Sequence, residues 1–123
     1  MFVFPDAADC IDHALKVAGL NSTLWLGPGD LDGREVVHVQ DAGGTEQSVF
    51  RTDRLIVDVY ATGRPAAKDL AEAVKVALVG RPHESPGGVI DSVAVEVVAS
   101  MEPFQSETVC KFTAIYRAES RPI

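Results

Sequence analysis

The hydrophobic positions of this chain change period several times, and each change marks an element. Over residues 6–20, Ala7, Ile11, Ala14, Leu15 and Ala18 recur three and four apart, which traces one stripe of an amphipathic helix. Asp6 is placed to cap that helix and Asp9 to face the positive end of its dipole. Lys16 sits in the last turn, and Gly19 or Asn21 can supply a left-handed stop. Residues 24–33 then carry Trp25, the turn Gly27-Pro28-Gly29 and the acids Asp30 and Asp32, an irregular connection in which Trp25 is expected as a packed anchor.

Strand periodicity follows. Residues 36–40 form a short β candidate, and residues 54–62 a stronger one, with Leu55, Val57, Val59 and Ala61 in alternation. The polar segment 41–52 between them, with Gly43-Gly44, reads as a long hairpin loop, and loops of that length are often functional. Gly63-Arg64-Pro65 ends the strand and opens a helix over residues 65–79, because proline in a first turn loses no backbone bond. Ala67, Leu70, Ala71, Val74, Ala77 and Leu78 line one side of it, and Lys68 and Glu72 are spaced to pair on the other. Gly80 and Pro82 stop this helix, and residues 81–88 read as a second Pro/Gly-rich loop. Residues 89–100, with Val93, Val95 and Val97 alternating, and 108–117, with Cys110, Phe112, Ala114 and Tyr116 alternating, predict two more strands around a turn containing Pro103. The order predicts one α+β domain over residues 1–123, a mostly antiparallel four-stranded sheet with two main helices packed on one face.

Composition narrows the function classes. With 46% hydrophobic and 24% charged residues, the chain has the balance of a soluble globular domain, and no apolar run is long enough to span a bilayer. The segment 1–5 lacks a basic start and soon meets Asp6, Asp9 and Asp12, so a cytoplasmic location is expected rather than export. Eleven basic residues against eighteen acidic ones give a net charge of -7, and no basic cluster could track a phosphate backbone. Cys10 and Cys110 lie far apart without a Cys-x-x-Cys pair and read as two buried thiols.

No constellation of catalytic residues stands out along the chain. There is no Gly-x-Ser-x-Gly, and neither cysteine has a histidine beside it. His13, His38 and His83 are scattered over a helix, a strand and a loop, so no metal site is expected. Asp9 and Asp12 share a helix face, but capping and the dipole account for them. Asp58 interrupts an apolar strand and needs a partner if that face is covered. It is expected on the solvated or subunit-facing side, with Arg54 on the same face and a facing arginine able to neutralise it. Gly43-Gly44 and Gly87-Gly88 lack phosphate-loop spacing. No catalytic, metal or cofactor residue is assigned, and no cofactor is expected.

The middle of the chain resembles a known family. The Gly43-Gly44 loop, the run RLIVDVYATGRPAAKDLAEAVKVAL over residues 54–78 and the closing KFTAIYRAE over 111–119 are similar to the tail terminator, or tail completion, proteins of long-tailed, siphovirus-type bacteriophages. The resemblance implies a structural virion protein without enzymatic activity. Such a subunit assembles as a homo-oligomeric, hexameric ring on the head-proximal end of the tail tube, stops tube growth and forms the head-joining face. Its implied partners are the major tail tube protein and the head-tail connector or neck proteins. Genomic DNA would pass through the ring without sequence-specific binding, a passage that an acidic wall suits, and no membrane is involved. The implied location is the virion tail, after assembly in the host cytoplasm. Candidate contacts for subunit or tube lie in the two polar loops and beside them: Gly43, Gly44, Glu46, Arg51, Arg54, Asp58, Arg64, Arg81, His83 and Glu84. Two other readings stand: a different phage neck or connector component, and a small-ligand-binding or enzymatic domain using Asp58, Trp25 and the two loops as pocket walls.

Overall fold

A computed structural model describes residues 3–27, 29–31 and 33–123. Met1 and Phe2 of the N-terminal stretch, and Pro28 and Asp32 of the turn-rich connection, lie outside the described residues.

Helix α1 spans Ala7–Val17, and the Asp6 carboxylate accepts a bond from the Asp9 amide at 3.2 Å, so the expected cap is present. Its C-terminus closes with Leu20 N–H donating to the Leu15 carbonyl, while Gly19 takes the left-handed conformation at φ 88. Helix α2 spans Arg64–Leu78 with Pro65 in its first turn. The expected Lys68–Glu72 pair is absent. Glu72 instead meets Lys75, one turn on, at 3.5 Å.

The described residues also form seven strands: β1 Ser22–Thr23, β2 Val36–Glu46, β3 Arg51–Thr62, β4 His83–Ser85, β5 Gly88–Ile90, β6 Ser92–Glu102 and β7 Val109–Ser120. The main sheet has five strands in the order β1-β2-β3-β7-β6, and β4 and β5 form a separate two-stranded sheet. The expectation of a four-stranded antiparallel sheet is therefore corrected to a mixed one. β2, β3, β7 and β6 are antiparallel, but β1 adds in parallel, pairing Ser22 with Val37 and Thr23 with His38. Two residues, both small and polar, carry no alternation from which a strand can be recognised.

The two expected loops are also largely strand. β2 runs on to Glu46 and β3 begins at Arg51, so the segment 41–52 is mostly hairpin arm around a short turn. The segment 81–88 contains β4 and the start of β5. The strand expected over 89–100 is split at Asp91, whose amide donates to the Glu119 carbonyl at 2.8 Å.

Side chains alternate across the sheet, so β3 and β7 each present two faces. Val37, Val39, Leu55, Val57, Val59, Phe112, Ala114 and Tyr116 belong to one buried cluster with Ile11 and Leu15 of α1 and Leu70, Val74 and Leu78 of α2. Burying each large aliphatic side chain contributes about 1.5–3 kcal/mol relative to exposure, so this cluster dominates the stability of the fold. The opposite face carries His38, Gln40, Arg54, Ile56, Asp58, Lys111, Thr113, Ile115 and Arg117, and neither helix belongs to it.

Candidate functional site

Among the described residues, no group of three or more His, Cys, Asp or Glu side chains is arranged to hold a metal. Cys10 is fully buried, accepts a bond from the Ser85 hydroxyl at 2.9 Å and has its thiol pushed up chiefly by desolvation. Cys110 is only half-buried, which departs from the expectation of two buried thiols. Asp9 and Asp12 are not a carboxylate pair: Asp9 is exposed, whereas Asp12 is buried between the Ser22 hydroxyl at 2.6 Å and Lys16 at 2.8 Å.

Asp58 is the most constrained polar group of the open sheet face. It is only 3% exposed, so its expected solvated position is corrected. Gln40 on β2 donates to Oδ2 at 2.7 Å, Thr113 on β7 donates to Oδ1 at 2.6 Å, and Lys111 approaches to 3.9 Å. A carboxylate between two strands thus receives a donor from each neighbour, which offsets its desolvation. Arg54 does not neutralise it and pairs instead with Glu96 of β6 at 2.6 Å. The Lys111 ammonium also sits 5.8 Å from the centre of the Tyr60 ring, and Tyr60 packs edge-on against Phe104. Burial, with Asp58 and Glu102 adding repulsion, holds the Tyr60 phenol up at about 12.

The β2–β3 hairpin gathers the next group. Asp41 pairs with Leu55 and Gly44 with Asp53, which leaves Ala42 and Gly43 opposite Arg54 in a bulge, with Gly43 left-handed at φ 78. A Cβ on Gly44 would collide with the Thr52 carbonyl oxygen, so this glycine is required by close backbone approach. Arg51 reaches Glu46 at 3.6 Å and Asp53 at 3.0 Å. Asp53 is buried, and its second oxygen has no partner among the described residues. The Ser120 hydroxyl, on the residue paired with Arg51, also has none among them. Desolvation pushes the Asp53 carboxyl above its usual value although Arg51 pulls it down.

The remaining expected contact residues lie elsewhere. Arg64 opens α2 with its guanidinium 5.6 Å from the Phe112 ring centre. Arg81 donates to the Val76 carbonyl at 3.4 Å, and Glu84 is exposed. His83 is buried and donates from Nε2 to the Leu78 carbonyl at 2.8 Å, which ties β4 to the end of α2. The ten candidates therefore form no single site. Gly43, Gly44, Glu46 and Arg51 share the hairpin, Arg54 and Asp58 share the open sheet face, Arg64 stands at the start of α2, and Arg81, His83 and Glu84 lie beyond its end. Gln40, Thr113, Lys111, Glu96 and Arg117 escaped the sequence reading. Strand alternation was the signal for the β7 residues, since each sits between core positions.

Trp25 is 74% exposed, which corrects its expected role as an anchor. One open depression of about 450 Å³ lies on the outer surface of the helices beside Ala73 and Val76. Trp25 and Asp58 do not converge: the Trp25 backbone is tied to Thr23 at the end of β1, and Asp58 is enclosed by Gln40 and Thr113.

No known protein family profile matches the chain, and no curated protein matches its sequence. Among solved structures, a chain from the virion of a native gene transfer agent particle shares the fold with a TM-score of 0.63 and 20% identity. The match covers 88% of this chain and 84% of that one.

Proposed function

We propose that this chain is a structural virion protein of a phage-like particle that assembles as a ring, hexameric by resemblance to tail terminators. In this reading it caps the head-proximal end of the tail tube, stops polymerisation and presents the surface to which the head joins. The observation that carries the reading is the shared fold, over most of both chains, with a component of a gene transfer agent virion. The distribution of polar groups supports it. Asp58, Asp12 and His83 are each consumed by internal hydrogen bonds, and among the described residues no nucleophile, base and orienting group come together.

The ring reading also suits the surfaces. Exposed Val49 and Phe50 at the hairpin tip, exposed Val97, Val98 and Met101 on the edge strand β6, and exposed Val17 and Val76 on the helices lie on different sides of one small domain. A ring subunit needs such non-identical patches, because each copy meets its two neighbours through different surfaces. The tube protein, the neck proteins and DNA passing through the lumen are the partners that this reading implies.

The test is removal of the gene from the producing phage or particle, followed by electron microscopy. Overlong tails beside DNA-filled heads are expected, with restoration of uniform length by the purified chain added to tubes. Tails of normal length that fail to join heads would move the chain to another neck position. A wild-type chain that forms no ring in solution or on tube ends would overturn the reading.

A further inference from the structure

The open sheet face holds a feature that the isolated chain does not neutralise. Arg54 on β3 and Arg117 on β7 are directly opposite each other. Like charges at that spacing destabilise a sheet. Glu96 answers Arg54 at 2.6 Å, but among the described residues Arg117 makes no ion pair and is exposed. Beside them lies an apolar centre: Ile56 and Ile115 are paired in register and half-buried, and Val97, paired with Ile115, is 45% exposed. Two arginines along one edge of three aliphatic side chains form a surface fitted to an apolar partner with an acidic edge.

The outermost strip of α2, between exposed Lys68 and Lys75 on one flank and Arg81 beyond its end, offers that composition. Asp69 makes no ion pair among the described residues, Glu72 is held only by exposed Lys75, and exposed Ala73 and 67% exposed Val76 lie on the same outer surface. α2 packs on the core side of the sheet, so its outer face points away from the open face. A contact between these two surfaces on different copies is therefore heterologous, and it closes into a ring when the rotation between copies permits.

We infer that the open face around Arg54, Arg117, Ile56, Ile115 and Val97 receives the outer face of α2 from a second copy of this chain, with Asp69 and Glu72 set against the two arginines. A nucleic acid is the poorer occupant. A phosphate backbone gains nothing from the aliphatic centre, and the net charge of -7 opposes its approach. The inference rests on the reading of the chain as an assembling subunit and adds which two surfaces meet.

Charge exchange tests it. Arg117→Glu and Asp69→Arg are made singly and together in the full chain, thermal melts confirm folding, and assembly is followed by sedimentation and native mass spectrometry. Like charges forced together cost up to several kcal/mol. Each single variant is therefore expected to weaken assembly by about tenfold or more, and the double variant, in which every junction again pairs opposite charges, to recover it. Single variants that assemble as the wild type does, or a double variant weaker than either, overturn the inference while leaving the proposed function standing. Loss of duplex DNA binding in Arg117→Glu without loss of assembly overturns it in favour of a nucleic acid. A wild-type chain that never assembles, in solution or on tube ends, overturns the inference and the proposed function together.

Discussion

Replacing Asp58 with alanine removes the acceptor for two donors at a site only 3% exposed. Gln40 Nε2 at 2.7 Å and Thr113 Oγ1 at 2.6 Å then lose their partner with little water to replace it. A buried donor left unpaired costs about 1–3 kcal/mol. Lys111 lies 3.9 Å away with its side chain 22% exposed, so its lost attraction adds little. Both hydrogen bonds are only part-buried, so each donor costs about 1–2 kcal/mol, the lower part of that range, and the sum for Asp58→Ala is about 2–4 kcal/mol. For a domain of this size, at about 4 °C per kcal/mol, the melting temperature is expected to fall by roughly 8–16 °C. Asp58→Asn keeps an acceptor for Thr113, and Gln40 can turn its carbonyl toward the new amide, so its cost is about 1 kcal/mol. Urea denaturation followed by circular dichroism measures both. An Asp58→Ala variant within about 0.5 kcal/mol of the wild type, the range of unremarkable surface changes, would refute the reasoning. So would an Asn variant as damaging as the Ala one.

Three further outcomes follow from the same structure. Tyr60 and Tyr116 are the chain's two tyrosines, and desolvation holds both up at about 12, so phenolate absorbance should stay absent through pH 10 and develop about two units later. A tyrosine titrating at 10 in the folded chain contradicts that burial, and the stability these phenols contribute is lost as pH rises through 12. Asp53 is shifted upward by desolvation, so the folded state holds its proton more tightly and stability falls as pH rises from about 4 through the raised value. Asp53→Asn should therefore gain on the wild type across that window in denaturation at successive pH values, and a constant difference would count against it. Gly44→Ala should lower stability by about 1–3 kcal/mol through its clash with the Thr52 carbonyl, whereas Gly87→Ala, whose Cβ would sit 3.5 Å from the Asp9 carboxylate, should change it by less than about 0.5 kcal/mol; equal effects would refute the close approach.

The sequence by itself determined both helices and the four long strands. Their signals are local: Ile11 and Leu15 on one stripe with Asp6 as cap, Pro65 in a first turn, and Leu55, Val57 and Val59 at period two. It also pointed to Asp58, because a carboxylate in an apolar strand needs a partner wherever it is covered. Tertiary structure decided who that partner is. Gln40 and Thr113 come from strands 18 and 55 residues away, and only the register brings them to the carboxylate. The β6 bulges had the same kind of effect. Alternation placed Val93, Val95 and Val97 together in the core, but Glu96 is an extra residue between the positions paired with Tyr116 and Ile115, so Val97 turns to the open face. A bulge answers to the partner strand rather than to local sequence. β1 depends likewise on β2, since two residues have no period of their own. The candidate loops became hairpin arm and small sheet for that reason, and the open face with its opposed arginines is visible only once β3 and β7 are laid side by side. Period and capping are written along the chain, whereas register, edge and face arise between segments distant in it.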